Sequence, residues 1–325
     1  MGAAVGDQAA LSSGSSPKDS GMEDTKAQHK VQRAPTAAPA MVETKEAGTI
    51  GRVGLKKKDG EGKQEWNTKN LGSRLTTDGM CALAAGGLVA PLITVIDKAI
   101  IENASGKRPM AESFRASLST LLLRPHKFLV SRPFRLILML YGGTYLTANT
   151  LDTFKSSIHN RPASSTTTGT SKFAATSAAN ISLCVYKDSQ FAQMFGTVSP
   201  RPIPPVSYAL FAARDSLTVF ASFNLPSVIA PQLPMGEAAE KYVSRASAAQ
   251  FLAPAAIQLI STPMHLLGLD LYNRNGGTTF AERMAKVRVD WLKSSVARMC
   301  RIVPAFGVGG VVNNGLRRRF MEKLE

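Results

Sequence analysis

The stretch Gly79–Ile101, GMCALAAGGLVAPLITVIDKAII, decides how the rest of the chain is read. It holds no charged side chain until Asp97 and Lys98, close to its end. A helix crosses the hydrocarbon of a bilayer in about 20 mostly apolar residues, and this run is long enough to do so. Gly, Ala, Ser and Thr crowd it, and such small residues let helices approach closely in lipid. In a water-exposed helix, glycine costs about 1 kcal/mol relative to alanine. Gly86-Gly87 would carry that cost here, and Gly142-Gly143 and Gly309-Gly310 repeat the feature downstream. The solvent this sequence is written for is lipid.

Reading outward, five more apolar segments follow: Phe134–Phe154, Lys172–Val185 (continuing with mixed polarity to Phe195), Pro205–Ala230, Ala246–Leu271 and Ile302–Leu316. The first, second and fifth of the six approach a clean span. The others are short or carry charge, such as Lys187, Asp188, Arg214 and Asp215. Charge inside a span is costly unless it faces a partner or water. The alternative is a soluble all-helical protein with long core helices. The expected architecture is an all-α polytopic membrane helical bundle of about six spans, arranged as three pseudo-repeated helix pairs. Two interfacial amphipathic helices are expected between spans: Met110–Leu123, and Phe280–Met299 with Phe280, Met284, Val287, Trp291 and Val296 near one face.

Residues 1–78 contain no sustained apolar run and are rich in Ala, Gly, Ser, Lys and Glu. Such a segment cannot bury enough apolar area to offset its ordering entropy, so a disordered polar tail is expected over 1–78 and a helical membrane domain over 79–325. The whole chain carries a formal +16, and the tail accounts for only +2 of it. The basic charge therefore flanks the apolar runs. The connections 102–132, 187–215 and 272–301 hold +4, +1 and +5; the opposite ones, 155–172 and 232–245, hold +3 and zero. This bias orients a membrane protein and favours anionic lipids on the richer face. Basic residues are not interleaved with aromatics, which argues against nucleic acid.

Cys81, Cys184 and Cys300 lie far apart without a CxxC, so neither a disulfide framework nor a zinc site is expected. The four histidines, His29, His126, His159 and His265, show no ligand spacing. No nucleophile elbow, P-loop, Rossmann glycine pattern or HExxH occurs. The sequence thus offers no residue set for an enzyme and implies no cofactor. The N-terminal stretch lacks the apolar region of a secretory signal and is too acidic for a mitochondrial presequence, with Asp7, Asp19, Glu23 and Asp24 before Arg33.

The recurring unit of span, amphipathic connection and Arg/Pro-started span is clear in 80–155 and 246–319, and contracted in 172–231. With Arg214-Asp215 in ALFAARDSLTVFASF and Arg301-Ile302-Val303-Pro304, it resembles the mitochondrial carrier family. That resemblance implies three two-helix repeats, residence in the mitochondrial inner membrane (alternatively the outer) and solute transport. The departures are specific. The carrier pattern Pro-x-Asp/Glu-x-x-Lys/Arg finds Ile93 and Ile96 after Pro91, and His265 and Gly268 after Pro263. The third segment has no such Pro, and Leu217 replaces the Pro of Arg-Asp-x-Pro. These losses motivate a second reading, a non-transporting scaffold or assembly factor that binds membrane protein complexes.

The candidate cavity or pairing residues are Arg214, Asp215, His265, Asp270 and Arg301. Arg214 and Asp215 either line a cavity or pair where the helix emerges; His265 and Asp270 either serve a proton or substrate or are simply hydrogen-bonded. Asn149, Asn224, Asn313 and Asn314 are expected to act as interhelical glue, and Gln258 similarly.

Overall fold

The structure, a computed structural model, describes residues 66–325 apart from 168, 237–239, 241–242 and 275 and the side chain of Phe306. Nearly all of the expected tail lies outside these residues. Its end does not: the first helix, α1, runs Leu71–Ala104 and begins eight residues before Gly79. It is followed by α2 (Met110–Leu123), α3 (Pro125–Val130), α4 (Arg132–Ile158), α5 (Thr170–Phe195) and α6 (Pro205–Ile229). After a short 3-10 turn come α7 (Arg245–Ala256), α8 (Gln258–Asn273) and α9 (Phe280–Cys300). A π-helical stretch, Val303–Val308, leads into α10 (Gly309–Met321). Among the described residues the chain is all helical, with no strand.

Local sequence explains where several helices start. Thr279 and Glu282 form a reciprocal capping box on α9: the Glu282 backbone N–H donates to Thr279 Oγ1 at 3.3 Å, and the Thr279 backbone N–H donates to Glu282 Oε2 at 2.9 Å. Ser131 caps α4 by accepting from Phe134 N–H, with Pro133 in the first turn. The glycines serve packing. A Cβ on Gly86 would stand 2.9 Å from the backbone nitrogen of Gly142, so α1 and α4 touch there at backbone distance. Gly309 makes room for Tyr145, whose hydroxyl donates to the Ala305 carbonyl at 2.8 Å.

The helices pack as a ring in which α1 lies along α4, α4 along α5 and α5 along α6; α6 meets α7 and α8, α8 meets α9, and α9 and α10 return to α1. The second half of α1 is enclosed: Ile93, Val95, Ile100 and Ile101 are buried, as are Asp97 and Glu102. The outside of the ring is apolar. Leu83, Leu88, Leu92, Phe220, Ile260, Val289, Leu292 and Val311 are all exposed. The inside is charged, since the largest fully buried side chains include Arg74, Lys187, Arg214, Arg298 and Arg317. This inversion suits a hydrocarbon surround, where polar groups turn inward.

Two expectations change. Among the described residues, three helical stretches are long and apolar enough to cross a membrane by length and composition: Leu71–Ala104, Arg245–Asn273 and Phe280–Met321. The expected count of about six, with α4 as a clean span, is not reached. Helices α4, α5 and α6 have the length, at 27, 26 and 25 residues, but charged and hydroxyl side chains dilute their apolar content. Helix α2 has the expected bounds. Helix α9 splits the apolar face expected of an interfacial helix: Val287 is buried and Met284 partly so, Phe280, Trp291 and Val296 are exposed, and Asp290, Ser294, Ser295 and Arg298 are buried.

Candidate functional site

Three of the long helices bring acidic groups into the interior, and the cations that meet them come from α5, α6 and the end of α9. Asp97 on α1 sits between two cations: Arg301 Nη1 at 2.7 Å from Oδ1, and Lys187 Nζ at 2.8 Å from Oδ2. Lys187 also reaches Asp188 Oδ1 at 2.5 Å. Asp188 pairs on its other oxygen with Arg214, whose Nη2 lies 2.7 Å from Asp215 Oδ2. The result is an unbroken alternation of charge, Arg301–Asp97–Lys187–Asp188–Arg214–Asp215, running across four helical elements.

The alternation has a physical reason. Withdrawing an ion from water costs several kcal/mol, and one partner seldom offsets it. Each inner member of this row has an opposite charge on both sides. The terminal members, Arg301 and Asp215, have one each. Asp215 must also share Arg214 with Asp188.

Two further side chains join the row without completing it. Arg298 on α9 is buried, and its Nε donates to Gln258 Oε1 at 3.0 Å. It takes part in no ion pair among the described residues, and its Nη2 is buried without a hydrogen-bond partner there. His265 on α8 packs against the Phe211 ring, 5.3 Å between centroids, and its Nδ1 is likewise unpartnered. Asp97, Lys187, Arg214, His265, Arg298 and Arg301 leave between them a gap too small to hold a water molecule, with Ile100 and Ile101 as its apolar side. That is below the roughly 300–1,000 Å³ of ligand pockets. The site is closed around its own ion pairs.

Two interruptions of helical order border it. The break between α7 and α8 at Ile257 sets Gln258 against Arg298, and the π-helical stretch begins two residues after Arg301. π-Segments recur at functional sites, and interrupted helices in membrane proteins commonly line binding cavities.

Four of the five sequence candidates, Arg214, Asp215, His265 and Arg301, come together here. Arg214 and Asp215 are an interior pair and do not mark where a helix emerges. Asp270 stands apart: it binds Arg283 at 2.7 Å and Arg274 at 2.5 Å, tying the end of α8 to α9. Of the asparagines, Asn149 and Asn313 do join helices, exchanging amide hydrogen bonds of 2.9 and 2.8 Å, whereas Asn224 is exposed and donates to its own helix at Phe220 O. Sequence reading left out Asp97, Lys187, Asp188 and Arg298 as members of one site. For Arg298 a signal existed: Asp290, Ser294 and Arg298 recur every four residues and so form a polar stripe. In lipid, that stripe is the inward one.

A second charged layer lies at the other end of α1. Asp78 accepts from Arg317 Nε at 2.8 Å and from Thr153 Oγ1 at 2.5 Å. Arg317 Nη2 donates to Thr153 Oγ1 at 3.0 Å, and Arg74 donates to Asn67 O at 3.1 Å, to Thr153 O at 3.4 Å and to Ser156 Oγ. Nearby, Asp152 holds Lys172 at 2.7 Å and the Thr167 backbone N–H at 2.8 Å.

No curated protein matches the chain. A family model does, over residues 81–321, and its description is probable citrulline exporter. This finding overturns the resemblance to mitochondrial carriers, which rested on short Arg/Pro spacings while the gate motifs themselves were absent. Spanning most of the chain, with both charged layers inside it save Arg74 and Asp78, the match makes this protein a member of the probable citrulline exporter family.

Proposed function

We propose that this protein carries a small zwitterionic amino acid of the citrulline class across a membrane, binding it at the Arg301–Asp215 charge row. The observation that carries the reading is the row itself: buried groups of alternating sign, sealed inside a bundle whose outer surface is apolar. Citrulline has an ammonium, a carboxylate and an uncharged ureido group. Such a solute brings one charge of each sign, so it can exchange partners with the row without leaving an ion bare. The family description supports the solute class and the direction of chemistry.

The topology adopted is six crossings in three pairs, formed by α1, α4, α5, α6, α7–α8 and α9–α10. Helices of 25–27 residues rise about 37–40 Å, more than the roughly 30 Å of hydrocarbon, which supports α4, α5 and α6 as spans. Their interior charges are neutralised by partners, so composition alone understates how well lipid suits them. The basic connections favour anionic lipid on one face. The mitochondrial placement rested on the carrier resemblance; fractionation with carbonate extraction decides the membrane.

The test is flux. Full-length protein reconstituted into liposomes should take up radiolabelled L-citrulline faster than protein-free liposomes, with competition by other neutral amino acids. Folded protein with no flux of citrulline or any neutral amino acid sinks the reading. Recovery of stable membrane-protein partners without flux would favour the scaffold reading instead.

A further inference from the structure

Seven buried charged side chains make up the site, and six of them neutralise one another. The seventh, Arg298, is 1% exposed and has a single acceptor among the described residues, the Gln258 amide oxygen. The contrast with Arg74 is informative. That guanidinium is also outside any ion pair, but it donates to three oxygens, Asn67 O, Thr153 O and Ser156 Oγ. Arg298 keeps Nη2 unpartnered and borders the closed gap together with His265, whose Nδ1 is unpartnered too. A buried guanidinium without an anion is an expensive arrangement. It presents two parallel N–H groups, a geometry that matches a carboxylate.

We infer that Arg298 is the receptor for the carboxylate of the transported solute, with His265 at its side as a further polar contact. This rests on the transport reading and adds to it a named group and a rule of selection: solutes with a free carboxylate are accepted and their amides refused. Gln258 is a positioning residue. It holds Nε and leaves the Nη edge of the guanidinium open. The ammonium end of a zwitterion would find Asp215, the acid that shares its only cation.

The experiment compares L-citrulline with L-citrullinamide on wild-type, Arg298→Gln and Arg298→Lys full-length protein, by thermal unfolding in detergent and by flux. Wild type should be stabilised by citrulline and not by its amide. R298Q should lose that discrimination and at least ten-fold of citrulline flux, while R298K keeps part of both. Without ligand, R298Q should melt at or above wild type, because it removes an uncompensated ion; this separates a receptor from a structural brace. R298Q that still prefers the acid over the amide overturns the inference. So does a wild-type shift that sodium chloride reproduces at equal concentration, since the anion held would then be inorganic. The transport reading fails separately: wild type that shows the R298-dependent shift but no flux removes transport and leaves the carboxylate receptor standing.

Discussion

The two charged layers that hold α1 have opposite characters. Nineteen residues separate Asp78 from Asp97, about 28 Å of helix rise, close to the thickness of a bilayer core. At the Asp78 layer one carboxylate is surrounded by hydroxyl, amide and backbone groups, and Arg317 and Arg74 find oxygens without needing further acids. At the Asp97 layer the charges pair almost only with each other, in a row that ends on an acid with a shared partner and has an unpaired Arg298 beside it. Uncharged acceptors cannot easily be exchanged for a ligand. Ion pairs can, because a charged ligand replaces like with like. On the proposed function, the first layer stays shut and the second is the one that reopens.

The sharpest way to break this contrast is Asp97→Asn. Asp97 compensates both Lys187 and Arg301, and removing one partner from a buried ion pair costs about 3–5 kcal/mol. Thermal unfolding in detergent should show a large loss of stability, and flux should vanish even in the folded fraction. A neutral result would mean that water reaches this layer and that it is not the closed site.

Asp78→Asn should do less. Arg317 loses its buried ion-pair partner but keeps the Thr153 hydroxyl and the Ser165 carbonyl as acceptors, so the expected cost is about 3 kcal/mol, the low end for breaking a buried pair. Citrulline flux per folded molecule should stay within a few-fold of wild type. If D78N abolishes flux while unfolding normally, the two layers are not divided into brace and site.

The smallest effect lies beyond both layers. Glu325 accepts from the Ser164 backbone N–H at 2.8 Å and from its hydroxyl at 2.6 Å, and these hydrogen bonds hold its carboxyl below the usual glutamate range. A carboxyl depressed in the folded state stabilises above its unfolded pKa, and that contribution is lost as pH falls through the folded value. Wild type should therefore melt slightly higher than Glu325→Gln at pH 7, with the gap closing as the pH drops below the normal carboxylate range. A gap that is constant with pH would assign the difference to packing.

The sequence made the solvent legible and left the pairing hidden. GMCALAAGGLVAPL reads as lipid-facing or lipid-buried without any partner in view, because apolar length is a local property. Arg214 and Asp215 could be noticed as charges in an apolar run, but their neutralisation depends on Asp188 from another helix. Asp97 looked like the end of a span because Lys98 follows it, yet Asp97 faces inward with 3% exposure while Lys98 lies beside Phe195. Arg298 was hidden because α9 was read from its apolar positions, as a helix lying in the interface, while the polar stripe Asp290, Ser294 and Arg298 was not read as a face. The carrier resemblance failed because it rested on short Arg/Pro spacings, and Pro is common in the first turn of any helix, so it reports helix starts more than family.

The long reach of α1 has a consequence for how the protein is made. Asp97 meets Arg301 across 204 residues, and Asp78 meets Arg317 across 239. Synthesis supplies these acids 204 and 239 residues before those partners, so a nascent chain holds α1 with neither layer complete. Contacts this distant form late and slow folding. Until the end of α9 and α10 dock on α1, neither layer of charge can close.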